Sequence, residues 1–316
     1  MKLLAGSLTL ALCALAQTVA AQTWTPPTPE ARCPSKWGAD DVRGAANLQT
    51  AQQVLKAARL IRTGELIELG RTLTPTIPLF GTRKFDIYFK PTGPAVGSNR
   101  RRSNEELIVT ELGQVGTQID MFAHQMIGDM TYNCVKVEDI ATRGGLTKMG
   151  VDGIGALFTR GVLIDVAALK GVDMLQAGYE ITTGDLQAAL QRENLTIEAG
   201  DAVFIHTGWG KLWGVDNARY NASCPGIGAP AAEWLAKQDI MLMGSDNFPV
   251  EVAPNPDQSI SLPVHQIALV VNGIFLLENV KLDELAEKQI HEFAFTVQPL
   301  KIKGGTGSTV APVAIH

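Results

Sequence analysis

The chain has 316 residues, 46% of them hydrophobic, and a formal net charge of −5. That is enough apolar material for a large core, and the acidic balance speaks against a nucleic-acid partner. The one basic run, Arg100-Arg101-Arg102, has no aromatic residue interleaved in it.

Lys2 followed by the apolar run Leu3–Ala16 and the small residues Val19-Ala20-Ala21 reads as a secretory signal peptide over residues 1–21. The run is shorter than the ~20 residues a spanning helix needs. Leu12 before Cys13 argues against a lipid anchor. The expected product is secreted or periplasmic, with no membrane contact after cleavage and one domain over residues 22–316. Cys33, Cys134 and Cys224 remain in it. An oxidising compartment permits one disulfide among them, and spacing does not choose the pair. The sequons at Asn194 and Asn221 matter only in a eukaryotic secretory pathway.

Residues 23–34 hold four prolines and predict an extended lead-in. Helical spacing predicts a helix over 50–59, and alternation a strand over 66–73. Residues 74–97 are rich in Pro and Gly and predict a long loop. A β-rich segment, 107–112, leads into the Gln114–His124 stretch. Strands follow at 162–166, 201–206, 240–243, 274–277 and 293–302. Helices are predicted over 184–192, with Thr183 as cap, over 230–238 with Pro230 in its first turn, and over 263–271, stopped by Asn272-Gly273. Strands and helices alternate without a repeat or clear linker, so the class is α/β.

Gln114-Val-Gly-Thr-Gln-Ile-Asp-Met-Phe-Ala-His124 is the richest segment chemically. Gln114, Gln118, Asp120 and His124 are separated by even offsets, and an extended strand would put all four on one face. Gly116 lets the backbone turn. Asp120 offers an anionic oxygen to a divalent cation; His124 offers a ligand or a general base.

The segment resembles the central motif of the cyclase family, which includes kynurenine formamidase-type and isatin hydrolase-type metal-dependent hydrolases. The family pattern is His-x-Gly-Thr-His-x-Asp-x-x-x-His. Gly116, Thr117, Asp120 and His124 match it, while Gln114 and Gln118 stand where it carries histidine. Lys36-Trp37-Gly38-Ala39-Asp40-Asp41, Thr207-Gly208-Trp209, Pro225-Gly226, Gly244-Ser245-Asp246, His265, Glu278-Asn279 and Gly305-Thr306-Gly307-Ser308 follow in family order.

The resemblance implies the swivelling β/β/α fold, a mixed sheet flanked by helices. It implies one divalent metal ion on Gln114, Gln118, Asp120, His265 and Glu278. Carboxamide oxygens are hard, weak ligands, so Mn²⁺ is the first expectation and Zn²⁺ the next. His124 would move protons, with Asp120 also catalytic. Trp37, Phe80, His206 and Trp209 would line the substrate pocket. The implied reaction is hydrolysis of a formamide, cyclic amide or lactone, a small-molecule substrate. Two alternatives stay open: a binding protein that lost catalysis with the two histidines, and a metal-free lyase, isomerase or cyclase. Gly-x-Ser-x-Gly is absent, so a serine nucleophile elbow has no support. Nothing in the sequence opposes a homo-oligomer.

Overall fold

The computed structural model describes residues 23–316. The expected signal peptide lies outside the described residues. Among the described residues, no helix is long and apolar enough to cross a membrane.

A nine-stranded mixed sheet organises the molecule. Its strands are β1 (Leu66–Glu68), β4 (Gln118–Asp120), β5 (Leu157–Asp165), β6 (Ala202–His206), β7 (Leu242–Ser245), β8 (Phe275–Glu278), β9 (Glu292–Val297), β10 (Gly307–Thr309) and β11 (Val313–Ile315); β2 (Phe85–Val96) and β3 (Arg101–Thr110) form a separate hairpin. The sheet order is β1-β11-β9-β5-β6-β7-β8-β4-β10. The four central strands β5, β6, β7 and β8 are parallel, and the flanking pairs are antiparallel. The centre is covered on both faces, so a strand such as Ala202-Val-Phe-Ile-His206 is buried throughout rather than alternating.

The sheet curls until its two edges are stitched by the end of the chain. Val310 N–H donates to Thr117 O on one side, and Leu69 N–H donates to Pro312 O on the other, both at 2.9 Å. The segment from β10 to β11 therefore belongs to both edges.

Helix α1 (Ala51–Ala58) starts at Thr50, whose side chain accepts the Gln53 N–H. Helix α2 (Thr183–Arg192) is capped by Thr182, one residue before the expected Thr183, because Asp185 completes a capping box with it. Helix α3 (Ala229–Ala236) carries Pro230 in its first turn. The predicted helix over 263–271 is instead a short α segment, Pro263–His265, running into a π-helix, Gln266–Asn272, which ends at left-handed Gly273.

Other boundaries also differ from expectation. The first strand stops at Glu68 and the late strand at Val297. Half of the loop predicted over 74–97 is strand: β2 begins at Phe85 and pairs with β3 despite Pro91 and Gly93. Proline is tolerated there because the hairpin has no further neighbour strand.

Candidate active site

β4 lies between β8 and β10, and its register builds the site. Gln118 pairs with Glu278 and with Thr309, and Asp120 pairs with Leu276 and Gly307. Residues two apart on a strand share a face, as do directly opposed residues on antiparallel neighbours. Gln118, Asp120 and Glu278 are thereby gathered on one buried face.

The approach to β4 is not the extended strand the even offsets suggested. Gln114 and Gly116 both have positive φ, 60° and 71°. The φ of 71° at Gly116 is one that glycine adopts without strain, and a Cβ there would also press on the tip of the Leu73 side chain. Asn279 holds the turn: its Nδ2 donates to Gly116 O (2.9 Å), and its carbonyl accepts the Thr117 hydroxyl (2.8 Å). Tyr220 donates its hydroxyl to Asn279 Oδ1 (2.8 Å). His124 leaves β4 on a short 3₁₀ turn, Phe122–His124, that brings its ring back over Asp120.

His265 closes the site from the opposite side. Glu251 accepts the backbone N–H groups of Val264 (3.2 Å) and His265 (3.1 Å), satisfying the start of that helix. Its Oε1 also lies 2.6 Å from His265 Nδ1, which fixes the ring. His265 Nε2 then lies 3.1 Å from Glu278 Oε1 and 3.9 Å from Asp120 Oδ2. Burial alone would push His265 down, but its bonds with Glu251 and Glu278 outweigh this and hold it well above the usual histidine range.

The two glutamines are donors to Glu278. Gln118 Oε1 accepts the Gln114 backbone N–H at 2.7 Å, which turns the amide nitrogen toward the acids. Gln118 Nε2 donates to Glu278 Oε2 (2.6 Å) and Asp120 Oδ1 (3.2 Å). Gln114 Nε2 donates to Glu278 Oε2 and, at 3.3 Å, to Phe248 O. The Gln118 oxygen is spent on the backbone, both amides present N–H, and Glu278 is already answered by two amides and His265.

What remains is one atom. Asp120 Oδ2 is buried without a hydrogen-bond partner. It sits 3.9 Å from both His124 Nε2 and His265 Nε2. Donor atoms of Asp120, His124 and His265 lie within 4.8 Å of one another. Burial raises the Asp120 carboxyl to about 6; the His124 charge lowers it, the Glu278 charge raises it, and His265 lowers it. A cation with bonds of ~2.0–2.2 Å bridges donors about 3.5–4 Å apart, so Asp120, His124 and His265 fit a divalent ion. The Nδ1 contact to Glu251 is the outer partner that a ligating imidazole normally has.

The expected pocket residues divide. Phe80 stacks on Phe248 with ring centroids 5.5 Å apart, and the Phe248 carbonyl receives Gln114. Phe80 therefore borders the site. Trp37 lines a separate cavity of about 230 Å³ with Arg32, Lys36 and Tyr132. Trp209 is fully buried and donates its Nε1–H to Tyr220 O, a core role. His206 is buried between Asp165 and Asp246. Glu251, Phe248 and Tyr220 were missed. Glu251 had a signal, an acid inside the apolar run Pro249–Pro254 that burial would strand without a partner.

The Cyclase family model matches residues 67–252. Isatin hydrolase of Roseibium aggregatum is 30% identical over 140 residues, 43% of this chain and 52% of that protein. The chain thus spans about half the length of that curated relative. The crystal structure of a protein described as a novel cyclase superposes with a TM-score of 0.84 at 31% identity, covering 92% of this chain and all of that one. Isatin hydrolase A from Ralstonia solanacearum superposes with a TM-score of 0.59 at 23% identity, over 84% of this chain and 97% of that one, a likeness of fold. The chain belongs to the cyclase family.

Proposed function

We propose that this chain is an exported metal-dependent hydrolase that opens a small cyclic amide, formamide or lactone. The observation that carries the reading is the unanswered Asp120 Oδ2, buried at equal distance from two imidazole nitrogens. Membership of the cyclase family and the match to an isatin hydrolase support the reaction class. Isatin, a cyclic amide fused to an aromatic ring, is the first substrate to try.

A divalent ion held by Asp120 and His265, with His124 beside it, would polarise a carbonyl and acidify water. The residues supply the rest. Glu251 orients His265. Gln114 and Gln118 hold Glu278 in place and leave Asp120 Oδ2 free. His124 is the most exposed of the three donors, with 24% of its side chain open against 1% for Asp120 and 3% for His265. It can therefore exchange a proton with solvent, and it serves as the base that takes a proton from water and returns it to the leaving nitrogen or oxygen. Phe80 and Phe248 give an aromatic wall to a planar substrate.

One observation favours a second reading, a binding protein without turnover: the two amides already compensate Glu278 without any cation. Metal analysis of the purified mature chain, followed by a hydrolysis assay on isatin, N-formyl aromatic amines and aryl lactones, separates the two. About one equivalent of Mn²⁺ or Zn²⁺ with metal-dependent turnover supports the hydrolase. A metal-free chain that binds these compounds unchanged overturns it.

A further inference from the structure

The segment Lys36-Trp37-Gly38 has no part in the candidate active site. Its Trp37 lines the cavity of about 230 Å³ together with Arg32, Lys36, Tyr132 and Asp239. Ile240 and Ile274, just before β7 and β8, line it too. Glu278 of the Asp120 centre closes the far end of β8, and the two sites share no lining residue.

The unanswered polar atoms of this cavity are donors. Arg32 is only 7% exposed. Its guanidinium has one hydrogen bond, from Nη1 to Thr131 O at 3.3 Å, and its Nε is buried without a partner. Among the described residues no acid compensates it, and burial alone pulls its pKa down. Trp37 Nε1 is also buried and unpartnered. The nearby acids are occupied. Asp239 is paired with Lys36. Asp41, behind Tyr132, accepts the Tyr132 hydroxyl (2.8 Å), the Gly44 N–H (2.9 Å) and the Asn47 amide (2.6 Å). A buried guanidinium without an anion is costly. The charged groups on the wall are two cations, Arg32 and Lys36, and one anion, Asp239, which leaves one positive charge to be met.

We infer that this cavity binds a small organic monocarboxylate, held by the Arg32 guanidinium and the Trp37 indole N–H. One negative charge matches the wall. A guanidinium and an N–H offer donors to both oxygens of a planar carboxylate. Much of the remaining wall is apolar, including Pro34, Ala45 and Val271, and would leave the further oxygens of phosphate or sulfate unanswered. The volume is below the ~300–1,000 Å³ of sites for drug-sized ligands, so the guest is an acid of about one ring. The Cys33–Cys134 disulfide joins the segment of Arg32 to that of Tyr132, so two walls are held before any ligand arrives. A chain without turnover would keep this site.

Phenylacetate and its neutral isostere phenylacetamide test it, by isothermal titration of the mature chain with its disulfide intact. Phenylacetate should bind at least about tenfold more tightly than phenylacetamide, the loss expected when a charged hydrogen-bond partner is removed. Arg32→Gln should weaken phenylacetate about 10–100-fold for the same reason, and Trp37→Phe, which keeps an aromatic wall, roughly 3–10-fold. Asp120→Asn should bind phenylacetate as tightly as the parent, which separates this cavity from an anion landing on a metal at the candidate active site. On the native chain, phenylacetate should raise Tm more than phenylacetamide at equal concentration, a readout that needs no variant to fold. Equal binding of the acid and the amide overturns the proposal, as does no binding of the acid at millimolar concentration. So does inorganic phosphate bound as tightly as phenylacetate, or binding that survives Arg32→Gln and is lost in Asp120→Asn.

Discussion

His265 and His206 are both buried, and each faces more than one carboxylate. Around His206, Asp165 Oδ1 accepts the Ala168 N–H and lies 2.9 Å from His206 Nδ1. Asp246 accepts N–H groups from Thr207 (3.0 Å) and Gly210 (3.2 Å) and the Thr207 hydroxyl (2.6 Å). Asp165 and Asp246 are both met by fixed donors, and among these three residues the unpartnered atom is a histidine nitrogen, Nε2. Around His265 the shortfall has the opposite sign: Glu251 and Glu278 are satisfied, and an oxygen of Asp120 is left over. A buried carboxylate oxygen without a donor favours a cation, whereas His206, its pKa raised by the acids around it, is itself the cation of its cluster. The comparison separates a chemical site from a structural pair that looks much like it in composition.

The widest test of that difference is Asp120→Asn. It should abolish stoichiometric divalent metal binding and turnover while leaving the fold intact, since the neutral amide still fills the space. Elemental analysis and circular dichroism check it, and full metal retention would remove Asp120 from the site. His124→Ala should lower kcat by about 10²–10⁴-fold with metal largely retained. If metal is lost while the activity per bound metal stays near normal, His124 is a ligand rather than the proton carrier.

The His206 cluster should respond in stability and not in metal content. His206→Asn strands Asp165, which is worth about 3–5 kcal/mol for a broken buried pair. Burial by itself lowers His206, but the bond with Asp165 and the charges of Asp246, Asp165 and Asp283 outweigh it and raise the group above its ordinary value of 6.5. Its stabilisation is therefore complete below about pH 6.5 and is lost as pH rises through the higher folded value. The gap in Tm between the parent and His206→Asn should be widest at mildly acidic pH and narrow in alkali. A gap that widens with pH would reverse the assignment. Last and smallest, Gln118→His, alone or with Gln114→His, should tighten Zn²⁺ binding about tenfold or more, because imidazole is the better donor. An unchanged competition titration would show that these positions serve Glu278 alone.

How much of this was legible depended on whether a feature is carried by side-chain type or by three-dimensional contact. Asp120 and His124 stood out through their spacing after Gly116-Thr117 and the family resemblance it carries, His265 through the same resemblance, and Glu278 because a charged acid closing an apolar strand is costly to bury unpaired. Their convergence rests on the β4–β8 register, which no single segment encodes. The direction of the Gln118 amide is set by a backbone N–H four residues away, made available by left-handed Gln114. Residue type alone suggested an oxygen facing a metal. The hairpin was hidden because Pro91, Gly93 and Pro94 signal loop locally, and only the absence of a neighbouring strand makes proline harmless. The Cys33–Cys134 disulfide, with Cys224 free and buried, likewise depends on Pro29–Arg32 packing near Cys134.

The strand that closes the sheet has a consequence for how the molecule comes into being. Leu66 pairs with Ile315, and Asp120 with Gly307. Contacts so distant along the chain form slowly, since most of the loop-closure entropy is lost before they return anything. Joining ends roughly 250 residues apart costs on the order of 5 kcal/mol by the (3/2)RT ln n rule. Residues 307–315 must all have been made before both edges can be stitched, so closure of the sheet follows the pairing of β4 with β8 that gathers Asp120 and Glu278. Removing residues 306–316 would leave both edges open.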